Sequence, residues 1–253
     1  MLNVSDAFQN AFKADLREIK MRITINKKVY TQDDLNSFSY EGGSMAGESF
    51  MIGSVFSNSI KITLDKVVEG LKELDEINPE IGIKLPNGTI EYVSMGIFII
   101  NSRVDPDRNE NKTTIEAADK FIMMGGVYVS KLKYPAEIKA VALEIANLSG
   151  IKVNTTTFSR LSAAKITKME GYTYRQAIGL IAQFESGYAL FDRTGLLDIR
   201  NMFDAAANTE YVITPDTYFQ KGLVKNEMLY RLGGISCKVP GNDDTEEKVL
   251  RAG

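Results

Sequence analysis

Residues 47–64 have the sequence GESFMIGSVFSNSIKITL, and residues 92–99 have the sequence YVSMGIFI. From Ile60 to Leu64, apolar and polar residues alternate, which is the two-residue period of a strand buried on one face. Gly53 and Gly96 interrupt runs that favour strands, and a residue without a Cβ permits a bulge or a close approach of two backbones. These stretches predict strands with one face on a core and the other facing solvent or a neighbour.

Two turn signals predict hairpins around this segment. The run from Ile19 to Ile25 alternates in the same way and leads into Asn26-Lys27-Lys28, which predicts a tight turn. Pro86-Asn87-Gly88 separates two further strand-like runs, and Asn-Gly tolerates the positive φ that a short hairpin loop requires. Several short strands with alternating faces predict a small barrel or sandwich.

The pattern changes to helical near residue 134. A helix is predicted from Pro135 to Gly150, because Pro suits a first helical position and Gly a left-handed end. A second helix is predicted from Thr173, with Gln176 completing a capping box, to a glycine stop at Gly187. A hairpin over residues 188–200, with its turn at residues 193–195, completes a predicted α+β unit.

The sequence pattern that predicts secondary structure is weaker after residue 201. A strand is predicted from Lys225 to Val239, and the acidic stretch at residues 241–247 is expected to be a turn or loop. Cys237 is the chain's single cysteine and is expected to be a buried, reduced thiol, in keeping with folding in a cytoplasm. Because a β domain seldom ends on an unpaired edge, a last strand or a further domain is expected beyond residue 253.

Composition narrows the function classes. The 253 residues are 44% hydrophobic and 25% charged, which is ordinary for a globular chain of about two domains. The net charge of −3 gives no basic surface for gripping phosphates, so sequence-independent binding of DNA is not expected. Nowhere do eighteen apolar residues run together, and neither a signal peptide nor a membrane span is expected.

The N-terminus is predicted to form a short amphipathic helix. Ser5 is a candidate N-cap, and apolar residues follow at helical spacing: Phe8, Ala11, Phe12 and Leu16. The stripe is expected to pack on a core, and a helix that docks onto a partner is the alternative.

The chain contains no histidine, which removes Ser-His-Asp and Cys-His catalysis and the commonest zinc ligand. A hydrolase that uses two carboxylates stays open, since glycosidases need only a pair of Asp or Glu residues. Pairs such as Asp75 with Glu76, or Asp192 with Asp198, are candidates that a solvated surface explains equally well. We therefore predict no catalytic, cofactor-binding or metal-binding residue and expect no enzyme.

Two local patterns imitate binding sites. Residues 105–110, followed by Glu116, resemble a calcium loop, but Glu110 replaces the required glycine and the flanks are strand-like, so a polar hairpin turn is expected. Tyr172 and Tyr174 imitate a platform for stacking sugars, yet beside a helix start they are expected to pack across a domain junction.

The order of several motifs resembles the N-terminal region of siphophage and prophage tail-tip hub proteins. The likeness includes the two opening stretches, TIEAADK at residues 114–120, YVSKLKYP at 128–135 and GYTYRQAIGLIA at 171–182, followed by Ala189 and the Gly-Leu-Leu of 195–197. Residues 93–96 depart from the pattern, because they lack the proline-leucine often found before that glycine.

This resemblance implies a β-rich α+β fold: two small barrel-like β domains with an α+β domain between them. The implied domains are an N-terminal helix and first barrel at 1–133, an outer α+β domain at 134–201, and the start of a second, incomplete barrel at 202–253.

The resemblance also implies a function. The protein would be a baseplate hub at the virion tail tip, folded and assembled in the host cytoplasm, that closes the tail tube and opens for DNA ejection. Its partners would be copies of itself in a homotrimer, the distal tail protein ring, the tape-measure protein and the tail tube, with genomic DNA passing unbound. A carboxylate-based cell-wall hydrolase and a host-receptor-binding module are the alternatives.

Overall fold

The computed structural model describes residues 4–43, 51–201, 235–239 and 248–252. The predicted fold class is confirmed for these residues, which form a β-rich α+β structure with one barrel-like sheet. Met1–Phe203 is one compact unit and Asp204–Gly253 is another. The predicted domain boundary between residues 133 and 134 stays a prediction.

The N-terminal half consists of one helix and nine strands in its described part. They are α1 (Asp6–Lys13), β1 (Ile19–Ile25), β2 (Lys28–Thr31), β3 (Leu35–Glu41), β4 (Val55–Phe56), β5 (Ser59–Leu64), β6 (Glu76–Lys84), β7 (Ile90–Ser94), β8 (Phe98–Ile100) and β9 (Thr113–Asp119).

Eight of these strands form one sheet in the order β2-β1-β6-β8-β9-β5-β3, with β7 also paired to β6. Every neighbouring pair is antiparallel. The two end strands, β2 and β3, are separated in sequence only by the 3-10 turn Gln32–Asp34. The sheet therefore curls until its ends approach each other, and we call it the barrel.

The barrel core is mainly isoleucine. Its buried residues are Ile23, Ile25, Tyr30, Ile60, Ile62, Leu64, Val68, Ile77, Phe98, Ile100, Ile115 and Ala117. Along β5 the apolar residues point inward, whereas Lys61 points outward and pairs with Glu116 at 2.8 Å. The alternation predicted from the opening stretch is therefore confirmed.

Both predicted hairpin turns are present. Asn26 and Lys27 have φ of 48° and 69° and join β1 to β2, with Ile25 opposite Lys28. Gly88, at φ 84°, closes the turn between β6 and β7. Pro79 lies inside β6, where the neighbour of that strand changes from β8 to β7, so its missing N–H leaves no described strand pair incomplete.

The second half of Met1–Phe203 contains a 3-10 helix, helices and short strands. They are the 3-10 helix Lys120–Met124, β10 (Ala136–Glu137), α2 (Ile138–Leu148), α3 (Thr155–Phe158), β11 (Lys165–Ile166), α4 (Tyr174–Phe184), β12 (Gly187–Phe191) and β13 (Leu197–Asn201).

Helix α4 packs on a three-stranded sheet of order β13-β12-β4, α2 packs against α4, and we call this part the α+β layer. Its core is separate from the barrel core and includes Phe121, Val141, Ile145, Ile178, Ile181, Ala189, Phe191, Leu197 and Ile199. The capping box of Thr173 and Gln176 is confirmed. Gly150 has φ 72° after α2, and Gly195 has φ 75° in the turn between β12 and β13, as predicted.

Both predicted helices have one end at a different residue. The first begins at Ile138 rather than Pro135, because Ala136 and Glu137 pair with β11 as a strand. The second ends at Phe184, and Ser186, with φ 52°, makes the left-handed turn that had been assigned to Gly187. Gly187 instead begins β12.

The N-terminal helix is shorter than the apolar stripe that predicted it. Ser5 caps the helix by accepting a hydrogen bond from the Phe8 amide at 3.0 Å, as predicted. Phe8 is buried, but Phe12 is 55% and Leu16 is 94% exposed, so the prediction that the stripe packs on the core is wrong beyond Phe8. The Ser5 hydroxyl and amide also donate to the Glu91 carboxylate on β7, which attaches α1 to the barrel.

In Asp204–Gly253 the structure describes one antiparallel hairpin, β14 (Ile235–Val239) with β15 (Lys248–Ala252). Cys237 lies in β14, opposite Leu250, but its side chain, the rest of the predicted strand from Lys225 and the predicted second barrel lie outside the described residues. Within the described part of the chain, no helix has the length and apolar character of a membrane span.

Candidate functional site

Several of the motifs singled out in the sequence meet at one place in the structure, the junction between the barrel and the α+β layer. Residues 51–58, which we call the strap, lie immediately before the barrel strand β5. Within the strap, β4 pairs in parallel with β12, with Val55 opposite Ala189 and Phe56 opposite Leu190. The strap therefore completes a sheet of the α+β layer before the chain returns to the barrel at β5.

Glycine is required at the point where the strap meets α4. Gly53 has φ 86°, a left-handed conformation that favours glycine, and its amide donates to the Gly187 carbonyl at 2.7 Å. A Cβ at Gly53 would lie 2.9 Å from the Gln183 Cβ and 3.1 Å from the Gly179 carbonyl oxygen. Gly53 and Gly179 thus allow the two backbones to approach closely.

A buried carboxylate joins the strap to both cores. Asp119, at the end of β9, is 2% exposed. Its Oδ1 accepts from the Ser57 hydroxyl at 2.9 Å and the Phe121 amide at 3.1 Å, while its Oδ2 accepts from the Asn58 amide at 2.6 Å. Burial raises the pKa of Asp119, although these three hydrogen bonds and the nearby charge of Arg175 act in the opposite direction.

Arg175 on α4 covers the outer edge of the strap. Its guanidinium donates to the Val55 carbonyl at 3.4 Å and lies 5.4 Å from the centre of the Phe121 ring. Because the preceding Ser54 carbonyl bonds to the Ala189 amide of β12, the Val55 carbonyl points away from β12, toward the free side of β4. Arg175 therefore occupies an acceptor that another strand would otherwise use.

A second contact joins the two parts away from the strap. The Arg193 guanidinium donates to the Ser94 carbonyl at 3.2 Å, and the Ser94 hydroxyl donates to the Arg193 carbonyl at 3.0 Å. Gly195 lies against Ile97, where an added Cβ would come within 2.8 Å of the Ile97 side chain. Residues from the two motif-bearing halves of the sequence meet here.

A polar network holds residues 128–134 against α2. Glu144 accepts from the hydroxyls of Tyr128 and Ser130, each at 2.6 Å, and from the Lys131 amide at 2.8 Å. Burial acts to raise the pKa of Glu144, but these hydrogen bonds outweigh it and the pKa lies below the ordinary value. Burial and the Glu144 carboxylate raise the pKa of Tyr128.

The two tyrosines that imitated a sugar platform have different environments. The ring of Tyr174 packs against that of Tyr128, with ring centres 6.0 Å apart, inside the α+β layer. Tyr172 is 40% exposed and borders an apolar groove of about 390 Å³ along α4. The other residues of the groove are Ile52, Gly53, Val55, Arg175, Gln176, Gly179, Leu180 and Gln183.

The candidate catalytic carboxylates serve turns and an ion pair. Asp192 Oδ1 accepts from the Thr194 amide and hydroxyl, and Asp75 accepts from the Lys72 amide at 2.9 Å. Asp198 is 1% exposed and bonds through Oδ2 to the Arg200 Nε at 2.7 Å, while its Oδ1 has no hydrogen-bond partner. Glu76 pairs with Lys120 at 3.4 Å.

The calcium-like segment forms a polar turn. Asp107 bridges to Lys112, and its Oδ1 accepts from the Asn109 and Glu110 amides at 2.8 and 3.0 Å. Its oxygen is thereby directed to the backbone of its own turn. In residues 4–43 and 51–201, no group of three or more acidic or cysteine side chains converges as metal ligands would.

Comparisons with known proteins give matches in fold only. No protein-family model and no curated protein sequence matches the chain. Among solved structures, it is similar to the 43 kDa tail protein of prophage MuSo2 from Shewanella oneidensis, with a TM-score of 0.45 and 15% identity over 73% of this chain and 56% of that one.

It is also similar to the Francisella PdpA-VgrG complex in two forms. The half-lidded form has a TM-score of 0.48 and 10% identity over 79% of this chain and 34% of that one. The lidded form has a TM-score of 0.46 and 11% identity over 88% of this chain and 32% of that one. The chain thus spans less than two thirds of each of these proteins, and a prophage tail protein is among its structural neighbours, as the sequence resemblance predicted.

The sequence places Asp119 in a recognisable motif but does not reveal the hydrogen-bond donors that contact its carboxylate. The signal was a carboxylate at the end of a buried strand, directly before a short helical turn, where a side-chain oxygen commonly caps backbone amides. That Ser57 and Asn58 supply the remaining donors depends on strand register, because Asn58 and Asp119 lie opposite each other just beyond the pairing of β5 with β9.

Proposed function

We propose that the protein is a structural component of a bacteriophage tail tip, a baseplate hub that closes the tail tube and opens as a conduit for DNA ejection. The observation that carries the proposal is the open barrel. Its end strands, β2 and β3, each pair on one side only within the described residues. Such edges present unpaired backbone N–H and C=O groups with which a strand of a neighbouring chain can pair.

Copies of one chain complete such edges in a closed symmetric ring. We therefore propose a homotrimer, in which three barrels stand side by side around an axis. The distal tail protein ring, the tail tube and the tape-measure protein would contact the assembled ring in the virion.

The charge distribution supports passage of DNA without binding. The net charge is −3, and several exposed basic residues of the barrel are paired with carboxylates, including Lys61 with Glu116, Lys84 with Glu18 and Arg108 with Glu69. Paired charges leave little field to attract phosphates. A wall of this kind would let DNA slide.

A structural role is also supported by the use of the acidic residues. The carboxylates that a hydrolase would need are bonded to backbone amides or basic side chains in turns and ion pairs, as described for Asp75, Asp192 and Asp198. In a protein whose role is to form contacts, these carboxylates stabilise turns and ion pairs, and none of them has to bind a substrate.

Light scattering on the purified protein over a range of concentrations tests the assembly. We expect a species of three times 28.1 kDa at high concentration and rings in electron micrographs. Antibody labelling of intact particles is expected to mark the tail tip. A protein that stays monomeric and labels no tail contradicts the proposal, while turnover of purified peptidoglycan or binding to intact cells would favour the hydrolase or the receptor-binding module.

A further inference from the structure

Within the described residues, two contacts that lie apart from each other join the barrel to the α+β layer, in addition to the ion pair of Glu76 with Lys120. One is the strap, with the Asp119 carboxylate beneath it, and the other is the contact of Arg193 and Gly195 with Ser94 and Ile97. A body held at one point rotates about it, whereas a body held at two points rotates only if one contact breaks. The two contacts therefore fix the orientation of the α+β layer on the barrel as well as contributing to the stability of the fold.

Asp119 differs from the other junction residues because its hydrogen bonds extend in both directions. Asn58 lies directly before the barrel strand β5, and Phe121 belongs to the core of the α+β layer. The Asn58 carbonyl also accepts from the Asp119 amide at 2.9 Å. Since the carboxylate is buried, a change of orientation that separates it from either donor leaves one of its oxygens with fewer hydrogen bonds in a desolvated site, which is unfavourable.

We propose that Asp119 is a positioning residue that locks the α+β layer in one orientation on the barrel, so that the two parts move as a single rigid body. This inference does not depend on a role in a phage tail. It implies that a force on the α+β layer is transmitted to the barrel wall and is not absorbed by a hinge.

The substitution Asp119→Asn tests the lock because the Asn side chain has one accepting oxygen where the carboxylate has two. It can therefore accept a hydrogen bond from the Asn58 amide or from the Phe121 amide, but not from both. With its oxygen at the position of Oδ1, the amide nitrogen faces the Asn58 N–H, and with the oxygen at the position of Oδ2, it faces the Phe121 N–H. Glu116→Gln is the matched control, because Glu116 lies on the same strand but pairs with Lys61 at the exposed barrel surface.

Spin labels at Asn109 in the barrel and Arg160 in the α+β layer, in a Cys237→Ser background, report the orientation as a distance distribution. Both label sites are exposed. We expect a narrow distribution for the parent and for Glu116→Gln, and a broadened one for Asp119→Asn.

Amide hydrogen exchange gives a second measurement. In Asp119→Asn, the protection of the Asn58 or Phe121 amide should fall by about tenfold, while amides in both cores stay protected.

An unchanged distribution in Asp119→Asn, with protection lost at Asn58 or Phe121, overturns the proposal. If Asp119→Asn does not fold, Ser57→Ala decides, because it removes one donor from the strap and keeps the carboxylate. Broadening in Ser57→Ala with both cores protected supports the lock, and a distribution identical to the parent overturns it.

Discussion

The barrel and the α+β layer differ in how some of their edge groups are covered. The barrel ends in two strands, β2 and β3, that pair on one side only within the described residues. In the α+β layer, the free side of β4 has its Val55 carbonyl covered by Arg175, and the start of α4 is capped by Thr173 and Gln176. We therefore expect the contacts of the proposed assembly at the barrel edges, whereas the α+β layer covers the Val55 carbonyl and the start of α4 with its own residues.

The two cores are formed by different parts of the chain. The barrel core joins residues from Ile23 to Ala117 through strands distant in sequence, and the core of the α+β layer spans Phe121 to Ile199. Val55 of the strap packs on the second core although it precedes the strand β5 of the first. The cores are thus separate in packing and joined by the chain.

The largest expected effect compares the cores directly. Ile62 in the barrel and Ile178 in the α+β layer are both 0% exposed, so Ile62→Ala and Ile178→Ala each leave a cavity and should cost about 2–5 kcal/mol of stability. Because the parts are locked together, we expect one unfolding transition in urea for each variant, seen equally by probes in both cores. Two separate transitions would show that each core unfolds alone.

A smaller effect is expected at the packing between β12 and β13. A Cβ at Gly187 would lie 2.1 Å from the Arg200 carbonyl oxygen, a backbone atom, so Gly187→Ala should cost about 1–3 kcal/mol in urea unfolding. Gly150→Ala is the control: Gly150 has φ 72° but nothing within 4 Å, so it meets only backbone strain of about 1–2 kcal/mol. Equal effects on β12 amide exchange in both variants would contradict the packing argument.

Acid should weaken the α+β layer through Glu144. Its pKa in the folded protein lies below the ordinary 4.5, so the folded state binds fewer protons than the unfolded state, and the stability it contributes is present above that value. This contribution is lost as the pH falls through the folded pKa. We expect Glu144→Gln to cost about 1–2 kcal/mol at pH 7 and to remove this part of the acid dependence.

The measurement for Glu144 is urea unfolding of parent and variant from pH 7 to pH 3. The two stabilities should converge toward the acid end of the range. A difference that stays constant over this range would mean that the Glu144 charge is not what holds residues 128–131 on α2.

The smallest effect is expected on the barrel surface. Lys61 and Glu116 form an exposed ion pair, with side chains 56% and 53% exposed, so Lys61→Ala should leave the stability almost unchanged. High salt should reduce the difference further, because exposed pairs are screened. A cost comparable to that of Ile62→Ala would show that the outer face of the barrel is buried against another chain.

Sequence reasoning succeeded where the signal is local. Asn26 with Lys27, Asn87 with Gly88, and Gly195 marked turns, because few residues adopt their backbone conformations. The capping box at Thr173 was recognisable for the same reason, since its partners are three residues apart. The alternation along β5 identified the buried face of the barrel.

It failed where tertiary contacts decide. Phe12 and Leu16 have helical spacing but are exposed among the described residues, and Ala136 joins a strand because β11 lies beside it. The strap was assigned to the barrel alone, since nothing in its sequence reveals that Val55 pairs with β12, more than a hundred residues later. The three donors to Asp119 were missed because they come from two different parts of the chain.

The strap has a consequence for how such a chain can exchange parts through recombination. The α+β layer takes one strand from residues 55–56, aromatic packing from Phe121 and the remainder from later residues. After a crossover near residue 134, Gly53 and Val55 would come from one parent and the helices from the other. Gly53 would still have to pack against residue 179, and Val55 would still have to pair with β12. Hybrids keep both halves of the junction from one parent when their crossovers lie before residue 51 or after residue 201.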